Sequence, residues 1–157
     1  MKDGFEETDD ALGGTDYASE KLFFRLYQAC NISLRRVANI LTEFNLTSQQ
    51  FSVLASVGRA GFESGLTVNE MVEYLMVSRQ SLHGVLTRME KAGYVKRVVN
   101  SEDQRSRKII LCPRGREVLD MARPRLQAFY KESLIDMSEE TLAGSIDSLN
   151  YLIERMK

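Results

Sequence analysis

Between Arg79 and Arg116 stand ten basic side chains, Arg79, Arg88, Lys91, Lys96, Arg97, Arg105, Arg107, Lys108, Arg114 and Arg116, against three acidic ones, Glu90, Glu102 and Asp103. A local balance of about +7 suits a polyanion, because phosphates respond to charge within roughly 8 Å at physiological salt. Among the cations lie Ser78, Gln80, Ser81, His83 and Thr87. Side chains of this kind hydrogen-bond to phosphates or to base edges, so the segment holds both chemistries that duplex recognition needs. The whole-chain count conceals it. Lys and Arg number 21 against 22 Asp and Glu, a net charge of −1, and about −6 of charge is concentrated in the first twenty residues. A solvated charged face is the competing reading of the same composition, and the order of the elements has to separate the two.

Other chemistries lack their residues. His83 is the only histidine, and Cys30 and Cys112 lie far apart, so a structural zinc has too few ligands and there is no disulfide framework. No nucleophile–base pair, paired carboxylates or phosphate-cradling glycine loop occurs, which leaves no basis for an enzyme or a bound cofactor. With 157 residues, 43% hydrophobic and 27% charged, the chain reads as one soluble domain. No apolar run is long enough to span a bilayer, and the start, MKDGFEETDDALGG, is acidic where a secretory signal is basic and then apolar. The expectation is a cytoplasmic protein with no membrane partner.

The elements that must position the basic segment follow from apolar period and capping signals. Residues 1–16 have no such period and read as an acidic flexible arm. From Tyr17, the residues Leu22, Leu26, Leu34, Val37, Leu41 and Phe44 mark one buried face of a long helix. Thr47 with Gln50, and Thr67 with Glu70, are capping boxes that open a second and a third helix. Ser78 caps a fourth, whose Leu82, Val85, Leu86 and Met89 recur at i, i+3, i+4 and i+7 before Gly93 stops it. Two helices about three residues apart, the second with one polar face, form a helix-turn-helix. The period then turns extended, with Tyr94, Val95, Val98 and Val99 joined through a polar block to Ile109, Ile110 and Leu111, which reads as a basic hairpin or wing. Pro113 opens a fifth helix that Pro124 kinks or breaks, and Ser138 caps a last one. The fold class is mainly α with a small two- to three-stranded β wing.

Within that wing, Asp103, Arg105, Leu111 and Gly115 form the spacing D-x-R-x5-L-x-x-x-G, which resembles the wing signature of the MarR/SlyA transcription regulators. The stretches LTSQQFSVL and VSRQSLHGVLTRMEKAGYVKR, with helices at both ends, extend the resemblance from about Tyr17 to Met156. It implies a single domain over 17–157, with a winged helix-turn-helix at about 48–112 and dimerisation helices at about 17–44 and 113–156. It further implies a homodimer that binds a near-palindromic double-stranded operator, its two reading helices about one DNA turn, roughly 34 Å, apart or a small multiple of that. On this resemblance Ser78, Arg79, Gln80, Ser81, His83, Thr87 and Arg88 face the DNA, and Arg105 is the minor-groove arginine of the wing. Asp103 orients Arg105, since a carboxylate facing phosphates would be repelled. Arg107, Lys96 and Lys108 are phosphate candidates, with a solvated strand edge as the alternative for each. The chain departs from the pattern at Gln104, where relatives often have a second arginine, at Cys112, where they have a capping threonine, and at His83 and Gly84, where threonine and arginine are usual. Gly84 reads either as a site of close approach to DNA or as a lost contact.

The resemblance also implies a repressor released by a small effector, often an aromatic acid, seated between the dimer helices and the DNA-binding lobe. Phe23, Tyr27 and Cys30 share a face of the first helix and are the candidate lining, with Arg25 and Arg35 as partners for a carboxylate. Core packing and ion pairs across a dimer are their alternative roles. A peroxide-sensing branch of the family has a cysteine where this chain has Phe23, so that thiol is absent. A redox response through Cys30 is one competing reading. Another is a helical interaction module that has lost DNA binding, a reading that Gln104 and Gly84 would support.

Overall fold

A computed structural model describes residues 15–101 and 103–157. The acidic arm expected over residues 1–16 falls outside them but for its last two, which already belong to a helix. Six helices and three strands follow in the order α1 (Thr15–Thr42), α2 (Ser48–Val57), β1 (Leu66–Thr67), α3 (Val68–Leu75), α4 (Arg79–Lys91), β2 (Val95–Val99), β3 (Arg107–Leu111), α5 (Pro113–Ser133) and α6 (Glu139–Met156). This is the mainly α class with a small wing.

Both capping boxes form. Thr47 accepts from the Gln50 amide at 3.2 Å while Gln50 Oε1 accepts from the Thr47 amide at 2.9 Å. Thr67 and Glu70 make the same reciprocal pair at 3.3 and 2.6 Å, so each helix opens with two otherwise orphaned amides satisfied. Ser78 and Ser138 cap α4 and α6 through the amides of Ser81 and Thr141. Helix α3 ends on Met76 in the left-handed region, at φ 52°, which turns the chain into α4 within three residues.

The sheet is antiparallel in the order β1-β3-β2, with Leu66 opposite Ile109 and Val95 opposite Leu111. Strand β1 is the third strand that a two- to three-stranded wing allows, but its place at Leu66–Thr67 was not expected, because two residues cannot display an alternating pattern. It makes β3 the central strand. Lys108 therefore stands inside the sheet, whereas Lys96, on β2, lies on an edge. The alternative of a solvated edge fails for Lys108.

Described residues divide into two compact units, one ending at Leu119 within α5 and the other comprising Asp120–Lys157. The first has a core of Leu54, Met71, Leu86, Met89, Ile109 and Leu119, all fully buried. Gly115 is required where α5 leaves the sheet, since a Cβ there would overlap the Tyr94 carbonyl. That carbonyl oxygen accepts the Cys112 amide at 2.9 Å. The buried face expected along α1 is realised only near its C-terminal end, at Leu41. Leu22 and Leu34 are each 52% exposed, because no described residue of the first unit covers the rest of the stripe. Helix α5 runs on through Pro124, so of the two expectations, a kink or a break, the break does not occur, and α6 has no buried residue.

Candidate nucleic-acid interface

The apolar stripe of α4, Leu82, Val85, Leu86 and Met89, is buried and fixes which way the helix faces. Gln80, His83 and Arg88 are consequently exposed, and Gly84 and Thr87 lie half-buried beside them. Ser78 is committed to the cap through Oγ, accepting from the Ser81 amide at 3.1 Å. Thr87 donates its hydroxyl to the His83 carbonyl at 3.0 Å. Arg79, the first helical residue, donates from Nη2 to Asn69 Oδ1 on α3. Sequence reasoning missed Asn69, which lies ten residues away on a different helix. It holds the Arg79 guanidinium at the start of the reading helix.

The wing tip is a hydrogen-bonded turn. Asp103 Oδ1 accepts the Arg105 amide at 3.0 Å, so the carboxylate orients Arg105 through its backbone and not through the guanidinium. The Asp103 carbonyl accepts both the amide and the hydroxyl of Ser106 at 3.0 Å. Buried Asn100 donates from Nδ2 to Ser106 Oγ at 2.9 Å and closes the base of the turn. Arg107 donates from Nη1 to the carbonyls of Gln104 and Ser106 at 2.9 and 3.0 Å. Arg107 is thus a brace of the wing, while the Arg105 side chain is exposed at its tip. Asn100 and Ser106 carried no signal in the sequence beyond their polarity.

The charge of about +7 is not all directed outward. Arg97 Nε meets Glu90 Oε1 at 2.9 Å and ties β2 to the end of α4. Arg114 donates to the Ala92 carbonyl at 2.9 Å and lies over the Tyr94 ring, and Arg116 reaches the Gly58 carbonyl at 3.4 Å. Arg88, Lys91, Lys96 and Arg105 remain as exposed cations on the reading helix, an edge strand and the wing tip. A helix with a polar face beside a basic hairpin matches the shape of a major groove flanked by phosphates.

The MarR family model matches residues 44–106, from the end of α1 to the wing turn. Over 151 residues the chain is 35% identical to the transcriptional activatory protein BadR of Rhodopseudomonas palustris, covering 96% of this chain and 86% of that one. The chain belongs to the MarR family. It is accordingly a DNA-binding transcriptional regulator and not an enzyme. The homoprotocatechuate degradative operon repressor of Escherichia coli is 25% identical over 135 residues, 86% of each chain. Among solved structures, the fold is shared with CouR from Rhodococcus jostii RHA1 bound to p-coumaroyl-CoA, at a TM-score of 0.77 and 21% identity over 85% of this chain and 92% of that one. It is shared too with the S. aureus MepR–DNA complex, at 0.76 and 17% identity over 92% and 100%.

Beside the MarR reading helix lies a pocket of about 140 Å³, lined by Leu34 of α1, Ser48, Gln49, Ser52 and Val53 of α2, Leu75 of α3, Val77 of the turn, and Ser81, Leu82 and Val85 of α4. Its walls are apolar and hydroxyl-bearing, with no charged side chain. None of the five residues expected to bind an effector lines it. Phe23, Tyr27, Cys30, Arg25 and Arg35 are exposed, and Arg25 donates to Gln28 Oε1 at 3.1 Å. Among the described residues, no helix is long and apolar enough to cross a membrane.

Proposed function

We propose that the chain acts in the cytoplasm as a homodimer on a near-palindromic operator, repressing promoters that the operator overlaps until a small effector releases it. The observation that carries the reading is the pairing of α4, its polar face turned out by a fully buried stripe, with a braced wing that leaves Arg105 at the tip. In this reading Gln80, His83 and Arg88 read base edges. Arg79, Ser81 and Thr87 shape the start and middle of the same face, and Ser78 sets the helix end against a phosphate. Arg105 enters the minor groove, with Asp103 and Arg107 holding the turn beneath it.

Two apolar surfaces support the dimer. On α1 Phe23, Phe24, Tyr27 and Ile32 are 47 to 64% exposed, and on α6 Ile146, Leu149 and Tyr151 are 43 to 65% exposed. Apolar area on this scale at both ends of a chain favours pairing with a second copy. The effector's seat is the pocket behind α4, because a body placed there bears on Ser81, Leu82 and Val85 of the reading helix. An aromatic acid fits with its ring inside and its carboxylate at the mouth, since no cation lines the walls.

Binding of the full chain to duplexes selected from a randomised pool, measured at 50 and 200 mM salt, tests the reading. Arg88, Lys91, Lys96 and Arg105 from two subunits place eight cations in the grooves and along the phosphates, where each displaces a condensed counterion, so affinity is expected to fall about a thousandfold or more. Affinity indifferent to salt would sink it. A second reading, activation, is favoured by the name of the 35% identical relative. Sign depends on where the operator lies relative to the promoter, and a reporter with the operator moved upstream separates the two.

A further inference from the structure

Gly84 sits in the middle of α4, where glycine weakens a helix relative to alanine, yet no contact among the described residues requires it. A Cβ built there meets only Arg88 Nη1, at 3.7 Å, an ordinary contact with the movable end of a side chain. Gly144 of α6 is likewise uncrowded, but three other glycines contrast with Gly84. At Gly58 and Gly115 a Cβ would overlap neighbouring atoms, and at Gly65 it would overlap β3 on a backbone of φ +84°. The described fold leaves Gly84 open to a role outside it, and its position on the reading helix points to that role. It is four residues after Gln80 and four before Arg88, in the middle of the exposed face.

The missing side chain leaves a notch between two long polar ones. Its floor is a Cα methylene, because mid-helix amides are already bonded along the helix and offer no donor to a phosphate. Thr87 beside it has its hydroxyl proton tied to the His83 carbonyl, so it has a methyl and an oxygen that can only accept left to present. An apolar notch flanked by groups that read base edges fits the one apolar group that protrudes into the major groove, the C5-methyl of thymine.

We propose that Gly84 is a specificity-determining residue, and that the notch it makes in α4 receives the C5-methyl group of one thymine in each operator half-site. The inference rests on the operator reading above and adds a base to it. Two proteins test it, the wild type and Gly84→Ala, on duplexes selected by the wild type and on the same duplexes with each thymine replaced in turn by deoxyuridine.

One thymine per half-site is expected at which loss of the methyl weakens wild-type binding about three- to fivefold, the worth of one buried methyl. Gly84→Ala is expected to bind the thymine duplex at least tenfold more weakly and to show no difference between thymine and deoxyuridine there. Its melting temperature should equal or exceed that of the wild type, which separates lost recognition from misfolding. Unchanged affinity in Gly84→Ala with the deoxyuridine penalty intact, or no methyl-sensitive thymine at all, overturns the notch while leaving the operator reading standing. Failure of the wild type to select any duplex overturns both.

Discussion

Arg105 and Arg107 are two residues apart on one turn and differ in what they have left to give. Arg107 is tied to the carbonyls of Gln104 and Ser106, whereas Arg105 has its amide fixed by Asp103 and its side chain exposed. Arg105→Ala should therefore lower operator affinity about tenfold to a hundredfold in a titration, with the dimer unchanged by sedimentation. Arg107→Ala should loosen the turn instead, and its loss should be smaller. Equal losses would mean that both contact DNA. Gly115 makes a different kind of residue-scale claim. A methyl there would overlap the Tyr94 carbonyl oxygen, which is backbone and cannot rotate away. Gly115→Ala should cost about 2 to 3 kcal/mol in denaturant unfolding, the range of a forced overpacking. The wing spacing made Gly115 conspicuous in the sequence, but the carbonyl it protects lies on the far side of the hairpin and only the fold brings it there.

Elements show where local sequence suffices and where it does not. Both capping boxes, the stop after α4 and the stripe of α4 follow from residues three or four apart, and all form as the sequence predicts. Strand β1, the Asn69–Arg79 bond and the clamp from Glu90 to Arg97 each join residues without a local pattern, so they were illegible. Two predictions belong here. The Glu70 carboxyl is held below its ordinary value by the Thr67 amide first, then by the Thr67 hydroxyl, with a smaller attraction from Lys108. A group depressed in the folded state adds stability above its unfolded value, and that stability fades as pH falls below about 5 and through the depressed one. Glu70→Gln keeps the box and removes the charge, so its melting temperature should fall less between pH 6 and 4 than that of the wild type. At the helix-turn-helix turn, Met76 occupies the left-handed region with its side chain 55% exposed. Met76→Gly relieves that strain against the entropy glycine adds to the unfolded chain, for a net gain of about 0.5 to 1 kcal/mol. A loss of stability would show that the exposed side chain packs on something in solution.

At the scale of the whole molecule, the near-neutral total is the sum of a cationic reading segment and a more acidic remainder, and only the first is a reason to bind DNA. Segregation of this kind steers one face of the protein towards a duplex, but one copy of that face is weak. On the proposed reading, Arg88, Lys91, Lys96 and Arg105 with a single reading helix would hold a half-site with an affinity that salt readily erodes. Linking two copies turns the second contact into an intramolecular event and multiplies affinity by about a hundredfold or more. Phe24 of α1, 54% exposed, and Leu149 of α6, 43% exposed, lie far in sequence from the reading helix. Phe24→Asp and Leu149→Asp place a charge where the partner's apolar surface would meet it, so each should yield a monomer in sedimentation and a loss of at least a hundredfold in operator affinity. Half-site binding, read on a duplex too short for two copies, should stay within about threefold of the wild type, because α4 and the wing are untouched. A monomeric variant that kept full operator affinity would remove the need for two-fold symmetry, and the exposed faces of α1 and α6 would then require some other cover.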